Sequence, residues 1–309
     1  MKIWGMKIVI GIPAFNEEKN IGAILIKLKN ISKDIIVCDD GSNDLTAEIA
    51  KELGANVISH KRNLGYGAGI RTIFLKAKEI NADILITFDA DGQHRIEDIN
   101  TVLKPITNDD ADIIIGSRFL DKNNEIPKYR KIGIKAITSI TNSSMGEKLS
   151  DSQSGFRAYN KKILENITPS ESGMGVSTEI LIKASKNKFR IKEVPIIVSY
   201  EGETSTHNPV SHGASVVLST IKFTSIEHPL KFYGISGMFF LGIGLFFLFW
   251  TLQLFTESGK IITNISLIGI GGMVIGIVLL VTATILYSII NVVREKTKWS
   301  PIFRKKILH

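Results

Sequence analysis

The sequence predicts a doubly wound, mainly parallel α/β sheet followed by a two-helix transmembrane hairpin. Three observations carry that reading. Short β-branched runs alternate with segments of helical period through the first part of the chain, a rhythm that buries a parallel sheet between layers of helices. Two later stretches, between Lys231 and Glu257 and between Lys260 and Arg294, hold no charged residue. The closing segment 291–309 then carries Arg294, Lys296, Lys298, Arg304, Lys305 and Lys306 against Glu295 alone, most of the chain's net +8.

Taken in order, the runs at 7–12, 34–37, 56–59, 84–88 and 112–115 read as strands, with 19–29 and 44–53 as intervening helices. Asn16 stands where a side chain caps the helix after the first strand. Regularity weakens over 143–200, where a helix at 176–186 and strands around 190–198 stay legible. Residues 214–226 are partly amphipathic and suit a bilayer surface. The expected division is a cytoplasmic α/β domain over 1–213, an interfacial helix over 214–230, spans at 231–255 and 264–290, and a basic tail over 291–309. Each span is long enough for a ~30 Å hydrocarbon layer. Lys222 and Lys231 before the first span, together with the basic tail, put both ends in the cytoplasm.

Composition narrows the function classes. With 309 residues, 44% hydrophobic and 22% charged, the chain has enough apolar material for a sizeable core and is neither disordered nor low-complexity. Its mean hydropathy of +0.16 is high for a soluble protein. Cys38 is the only cysteine, which excludes an internal disulfide and a multi-cysteine metal cluster and implies a reducing compartment. The positive charge first suggests nucleic acid as a partner. Its position directly after an apolar span points to lipid headgroups instead. The N-terminus lacks the apolar run of a cleaved signal peptide.

In doubly wound sheets ligands sit beyond the carboxyl ends of the strands, so the loops there are where chemistry is sought. After the first strand comes Ile12-Pro13-Ala14-Phe15-Asn16-Glu17-Glu18, and after the second Cys38-Asp39-Asp40-Gly41-Ser42-Asn43-Asp44. The latter offers acceptors for a nucleobase or ribose, or is simply an Asp-rich turn. Phe88-Asp89-Ala90-Asp91-Gly92-Gln93-His94 follows the fourth run. Two carboxylates one residue apart at a strand end suit a hard divalent ion, Mg²⁺ or Mn²⁺, with Gln93 as a further oxygen. His94 reads as a bystander, and the run lacks the other ligands of a calcium EF-hand.

The stretch Asn63-Leu64-Gly65-Tyr66-Gly67-Ala68-Gly69 fits neither the Walker pattern nor the dinucleotide fingerprint. It either lets backbone N–H groups approach a ligand or makes a tight turn into a helix. Gly116-Ser117-Arg118 supplies a guanidinium for phosphate, or a surface arginine. Downstream lie Arg130, Lys131 and Lys135 on an expected helix, then Asp151-Ser152-Gln153-Ser154-Gly155-Phe156-Arg157.

This ordered set resembles the family 2 glycosyltransferases of the GT-A fold, and within them the dolichyl- or polyprenyl-phosphate sugar synthases. The resemblance covers roughly residues 6–200. It implies a Rossmann-like GT-A sheet and a nucleotide-sugar pocket lined by Pro13, Phe15, Glu17, Asp39, Asp40, Asp89 and Ala90. It implies a metal held by Asp89, Asp91 and Gln93, with Asp91, Arg118 and Asp151 as the catalytic candidates. Arg130, Lys131, Lys135 and Arg157 are the implied cations for the acceptor phosphate. An anionic lipid phosphate needs no deprotonation, so a base at Asp151 is not required. The loop 201–213, with His207 and His212, more closely resembles relatives that use UDP-sugars than those that use GDP-mannose.

Rival classes fit less of the sequence. A processive polysaccharide synthase needs a Gln-x-x-Arg-Trp motif and a multi-helix channel, and neither is present. A sugar nucleotidyltransferase opens with a basic Gly-rich loop after the first strand, which is missing. A catalytically inactive membrane scaffold of the same fold would have no use for the Asp89 and Asp91 pair.

Overall fold

The structure, a computed structural model, describes residues 5–121, 124, 126–146, 148–199, 225 and 229–298. The chain divides into two compact units, Met1–Thr220 and Ile221–His309.

In the first unit seven strands form one sheet: β1 (Ile8–Ala14), β2 (Asp34–Asp39), β3 (Asn56–Ser59), β4 (Ile84–Thr87), β5 (Ile113–Ser117), β6 (Arg157–Asn160) and β7 (Ile191–Pro195). Their spatial order is β3-β2-β1-β4-β6-β5-β7. Every neighbouring pair is parallel except those of β6, which runs antiparallel to both β4 and β5. The helices of this unit are α1 (Glu18–Leu28), α2 (Thr46–Glu52), α3 (Tyr66–Glu79), α4 (Ile99–Thr107), α5 (Lys128–Met145), α6 (Lys161–Asn166) and α7 (Val176–Lys186).

Side chains alternate across a strand, so a sheet covered on both faces needs apolar residues at every position. The central strands meet that need. Ile10, Ile84 and Ile86 pack with Leu25 of α1 and Val102 of α4. Their strand neighbours Val9 and Leu85 pack on the other face with Ile73 and Phe74 of α3 and Ile180 of α7. The same alternation explains why these strands read as continuous β-branched runs rather than as half-polar ones.

Several boundaries differ from expectation, each for a pairing reason. β1 runs on through Pro13 and Ala14 because they pair with Cys38 and Asp39 of β2. Gly116 and Ser117 belong to β5, since they pair with Val194 and Pro195 of β7. The irregular region after residue 143 hides β6, whose Arg-Ala-Tyr-Asn is too short and polar for a period to show. Asn16 does not cap α1. It adopts a left-handed backbone (φ 56°), and its Oδ1 accepts from Asn43 N at 2.9 Å, which ties the loop after β1 to the loop after β2.

The second unit contains α8 (Ile235–Ser258), preceded by one wide turn at Leu230–Gly234, and α9 (Thr263–Lys298). Leu230–Ser258 and Thr263–Ile290 are each long and apolar enough to cross a membrane. A Cβ on Gly244 would lie 2.4 Å from the backbone N of Met273, so the two helices touch backbone to backbone there. The 201–213 loop and its two histidines, nearly all of 214–230, and the end of the tail lie outside the described residues.

Candidate active site

The antiparallel β6 shapes the site. Its register sets Thr87, the last residue of β4, against Arg157, the first of β6, and Thr87 Oγ1 donates to Gly155 O at 2.6 Å. The loop leaving β4 and the loop entering β6 therefore meet at one edge of the sheet. Asp89 lies between them. Tyr66 Oη donates to its Oδ1 at 3.1 Å, and His94 Nε2 donates to its Oδ2 at 3.1 Å. Gly155 is the floor: a Cβ there would fall 2.5 Å from Asp89 Oδ2 and 2.6 Å from Tyr66 Oη.

The two carboxylates of this loop are driven apart. Burial raises the Asp89 carboxyl, but the bonds from His94 and Tyr66 and the charge of Arg118 outweigh it and hold the group below the usual range. Asp91 is pushed up by burial and by the charge of Asp89, with Arg130 acting against the rise. Glu17 is also raised, by burial first and then by Asp91, Asp44 and Asp89. Three acidic side chains from two loops thus crowd one region. Gln93 donates its backbone N–H to Asp91 Oδ1 at 3.0 Å. Ala90 is buried.

On the other side of β1, Pro13, Phe15 and Glu17 are half-buried, and Asp39 Oδ1 accepts from Ser42 N at 3.1 Å. Glu17 N donates to Thr46 Oγ1 at 2.7 Å, which binds this loop to the start of α2. Asp40, expected beside the nucleotide, is committed to its own chain. Its Oδ1 accepts from His60 Nδ1 at 2.6 Å and Leu64 N at 2.9 Å, and its Oδ2 from Gly65 N at 2.8 Å. The Gly-rich stretch is therefore a turn held by Asp40, and it delivers Tyr66 to Asp89.

Beyond β5, Arg118 and Asp151 form a two-pronged pair, Nε to Oδ2 at 2.6 Å and Nη2 to Oδ1 at 2.8 Å. Asp151 is 0% exposed; burial raises its carboxyl, and Arg118 more than reverses the rise. Glu193 of β7 takes the N–H groups of Ser150 and Asp151, each at 2.8 Å. Next to this pair a cleft of about 500 Å³ is lined by Phe119, Lys131, Lys135, Ser139, Asn142 and Ser150, among others. Lys135 Nζ sits 5.9 Å over the Phe119 ring. Lys131 and Lys135 share one face of α5, four residues apart.

Arg157 is a correction to the expected set of acceptor cations. It is 1% exposed, and its three nitrogens donate to the carbonyls of Ser154, Ser177 and Ser152 at 2.8, 2.9 and 2.7 Å. Buried and bonded to a backbone carbonyl from each nitrogen, this guanidinium holds the loop before β6 in shape instead of facing the surface where an acceptor would bind. Sequence reasoning missed Tyr66 and read His94 as a bystander. Tyr66 carries no signal of its own. His94 carried one, its place three residues after Asp91 in the loop at a strand end.

The chain matches the profile described as "Glycosyl transferase family 2" over residues 9–168. It is 40% identical over 218 residues to an uncharacterised protein of Methanocaldococcus jannaschii, a match covering 68% of this chain and 87% of the relative. A Methanococcus voltae protein named UDP-N-acetylglucosamine–dolichyl-phosphate N-acetylglucosaminyltransferase is 37% identical over 229 residues, 67% of this chain and 89% of its own length. Among solved structures, glucosyl-3-phosphoglycerate synthase from Mycobacterium tuberculosis with Mn²⁺, UDP and glucosyl-3-phosphoglycerate superposes with a TM-score of 0.57 at 19% identity. That likeness covers 71% of this chain and 80% of the other, and it shows a shared fold.

Proposed function

The chain belongs to glycosyl transferase family 2, and from that premise we propose that it moves a hexose or N-acetylhexosamine from a nucleotide sugar to dolichyl or another polyprenyl phosphate. The observation that carries the reading is the pairing of two sites of opposite charge. The Asp89 and Asp91 loop lies within electrostatic reach of Arg118 and Arg130, and Arg118 adjoins the cleft that Lys131 and Lys135 line. Donor and acceptor phosphates need such a division of labour. A UDP-sugar is the favoured donor, because the M. voltae relative is named for UDP-N-acetylglucosamine and the 201–213 loop resembles UDP-sugar users; GDP-mannose is the alternative.

A divalent cation fits the donor side. Among the described residues no three metal-ligating side chains converge on a point, so a bound ion would take much of its shell from the donor diphosphate and water. Asp91 and Glu17 are raised by burial first and by neighbouring carboxylates second, and hard oxygen donors gathered in this way suit a hard divalent ion. Asp89 and Asp91, with Gln93, are the residues that would hold Mg²⁺ or Mn²⁺. Such an ion supplies neutralising charge to the departing nucleoside diphosphate.

The chemistry is a single displacement with inversion. An oxygen of the lipid phosphate forms the new bond to the anomeric carbon while the bond to the donor diphosphate breaks, and that diphosphate leaves with the electron pair. Arg118 offsets the charge that grows on the leaving group. Lys131 and Lys135 hold the acceptor phosphate, and Arg130 adds positive charge between the two. No proton has to move, since the attacking oxygen is already anionic. Asp151, with its carboxyl held down by Arg118, orients that arginine.

The two apolar helices would keep the enzyme in the bilayer, where its acceptor resides. The basic tail favours a cytoplasmic catalytic unit.

The test uses the full chain in detergent with Mn²⁺ or Mg²⁺ and a panel of labelled UDP- and GDP-sugars, scoring label that enters organic solvent with and without polyprenyl phosphate. Acceptor-dependent transfer from one donor is the expected result and names the sugar. Donor hydrolysis without lipid product overturns the acceptor assignment, and silence with every donor points to an inactive scaffold.

A further inference from the structure

Asp89 is held more tightly than an exposed ligand-binding carboxylate needs. The last torsion of an aspartate is broad and roughly two-fold, so an unrestrained carboxylate swings. Here each oxygen has its own donor, Tyr66 Oη on Oδ1 and His94 Nε2 on Oδ2. The missing side chain of Gly155 leaves room for both.

Both donors are themselves fixed. The His94 side chain is 7% exposed and packs against the rings of Phe88 and Phe156, at centroid distances of 5.7 and 5.2 Å, in a cluster of three rings in mutual contact. Its residue pairs with Val198 in an antiparallel bridge. The other ring nitrogen, Nδ1, has no hydrogen-bond partner among the described residues, so Asp89 is the one group there that the ring is bonded to. Tyr66 opens α3, with Gly65 N tied to Asp40 Oδ2 and Gly67 N donating to Ser172 O at 2.8 Å. The Asp40 loop thereby reaches the Asp89 loop through one turn of backbone.

We propose that Tyr66 and His94 are positioning residues that act through Asp89, clamping its carboxylate from both oxygens so that it meets the donor and its cation in one fixed orientation. Each oxygen keeps a free lone pair, so the clamp orients the ligand group and leaves it able to bind. Preorganisation of this kind removes a reorientation that would otherwise accompany donor binding. The inference rests on the donor-binding reading above, though not on the identity of the acceptor.

The experiment uses the full chain in detergent with Mn²⁺ and UDP or GDP as probes, following free Mn²⁺ by electron paramagnetic resonance, with a thermal melt of each variant. Tyr66→Phe removes one hydroxyl, His94→Leu removes the ring donor, and His94→Gln restores a donor of similar reach. Tyr66→Phe and His94→Leu are expected to weaken UDP-dependent Mn²⁺ binding by about 10-fold or more, the scale seen for partners that orient metal ligands. His94→Gln should recover most of that loss and the donor KM with it. In an Asp89→Asn background, adding Tyr66→Phe should cost nothing further.

Affinity that stays within about twofold of wild type in both single variants, including where the melt falls, overturns the clamp. So does a Tyr66→Phe penalty that persists undiminished in the Asp89→Asn chain. A wild-type chain that binds Mn²⁺ with UDP yet transfers to no lipid phosphate sinks the acceptor assignment and leaves the clamp standing. A wild-type chain that binds no Mn²⁺ in the presence of either UDP or GDP overturns the metal-dependent donor reading and the clamp with it.

Discussion

Arg118 grips Asp151 with two nitrogens, at 2.6 and 2.8 Å, and Asp151 is wholly buried beneath it. A carboxylate bound in this way is a poor proton acceptor and a good anchor. Asp151→Asn should lower stability by about 3 kcal/mol, because it leaves the arginine's partner uncharged in a buried site. Urea melts would show it as a lower midpoint with an unchanged slope. The pH profile of the residual transfer should keep the wild-type shape; loss of its dependence on a basic group would mark Asp151 as a base instead.

Asp91 is the carboxylate that burial and Asp89 push up, and it is the one with most to gain from a cation. Asp91→Asn should leave the fold unchanged by circular dichroism and reduce transfer by about 10²- to 10³-fold, the cost of losing one electrostatic stabiliser. Chelation of the metal should reduce the wild type to the same level. Full activity in the variant would remove Asp91 from the donor site.

Arg157 donates to three backbone carbonyls from a buried position. Arg157→Met should therefore destabilise the first unit by several kcal/mol, since each orphaned buried acceptor costs about 1–3 kcal/mol. A melt measures this directly. Any correctly folded fraction should keep the wild-type KM for the lipid acceptor; a raised acceptor KM at unchanged stability would return Arg157 to the phosphate site.

Asp112 reads out acid stability. Burial raises its carboxyl, but Arg190 and Asn160 bind it and bring it down to about 2. Its folded value lies below the ordinary ~3.9, so its contribution is complete above that pH and disappears as pH falls toward about 2. Asp112→Asn should be less stable than wild type at neutral pH, and the gap should close across this acid window in urea melts. A gap of constant size would assign the effect to hydrogen bonding alone.

The central sheet and the Asp89 and Asp91 pair were legible because both are local patterns, an apolar run and two carboxylates at its end. What stayed hidden depends on partners distant in sequence. The turn that Asp40 holds is one case, since Leu64 and Gly65, whose N–H groups it accepts, are met only once the chain has turned back. Arg157 looks like an exposed cation because its burial depends on Ser177, reached only through α6 and the loop after it. β6 itself escaped notice, since four residues of mixed polarity acquire strand identity only between β4 and β5. Tyr66 could be found in no other way than from the structure.

The bond from Thr87 to Gly155 joins residues 68 apart in sequence, and this gives the site a history in time. Contacts that close long loops form slowly. A growing or refolding chain can assemble β1 to β4 early and still lack the proposed donor site, because the floor beneath Asp89 arrives only with Gly155. Nucleotide binding should then appear in the slowest refolding phase, after most secondary structure has formed. The sheet is also complete in sequence at Pro195, well before the first apolar helix begins. During synthesis the order of events is therefore fixed by the chain: the α/β unit can mature first, and the two long apolar helices follow.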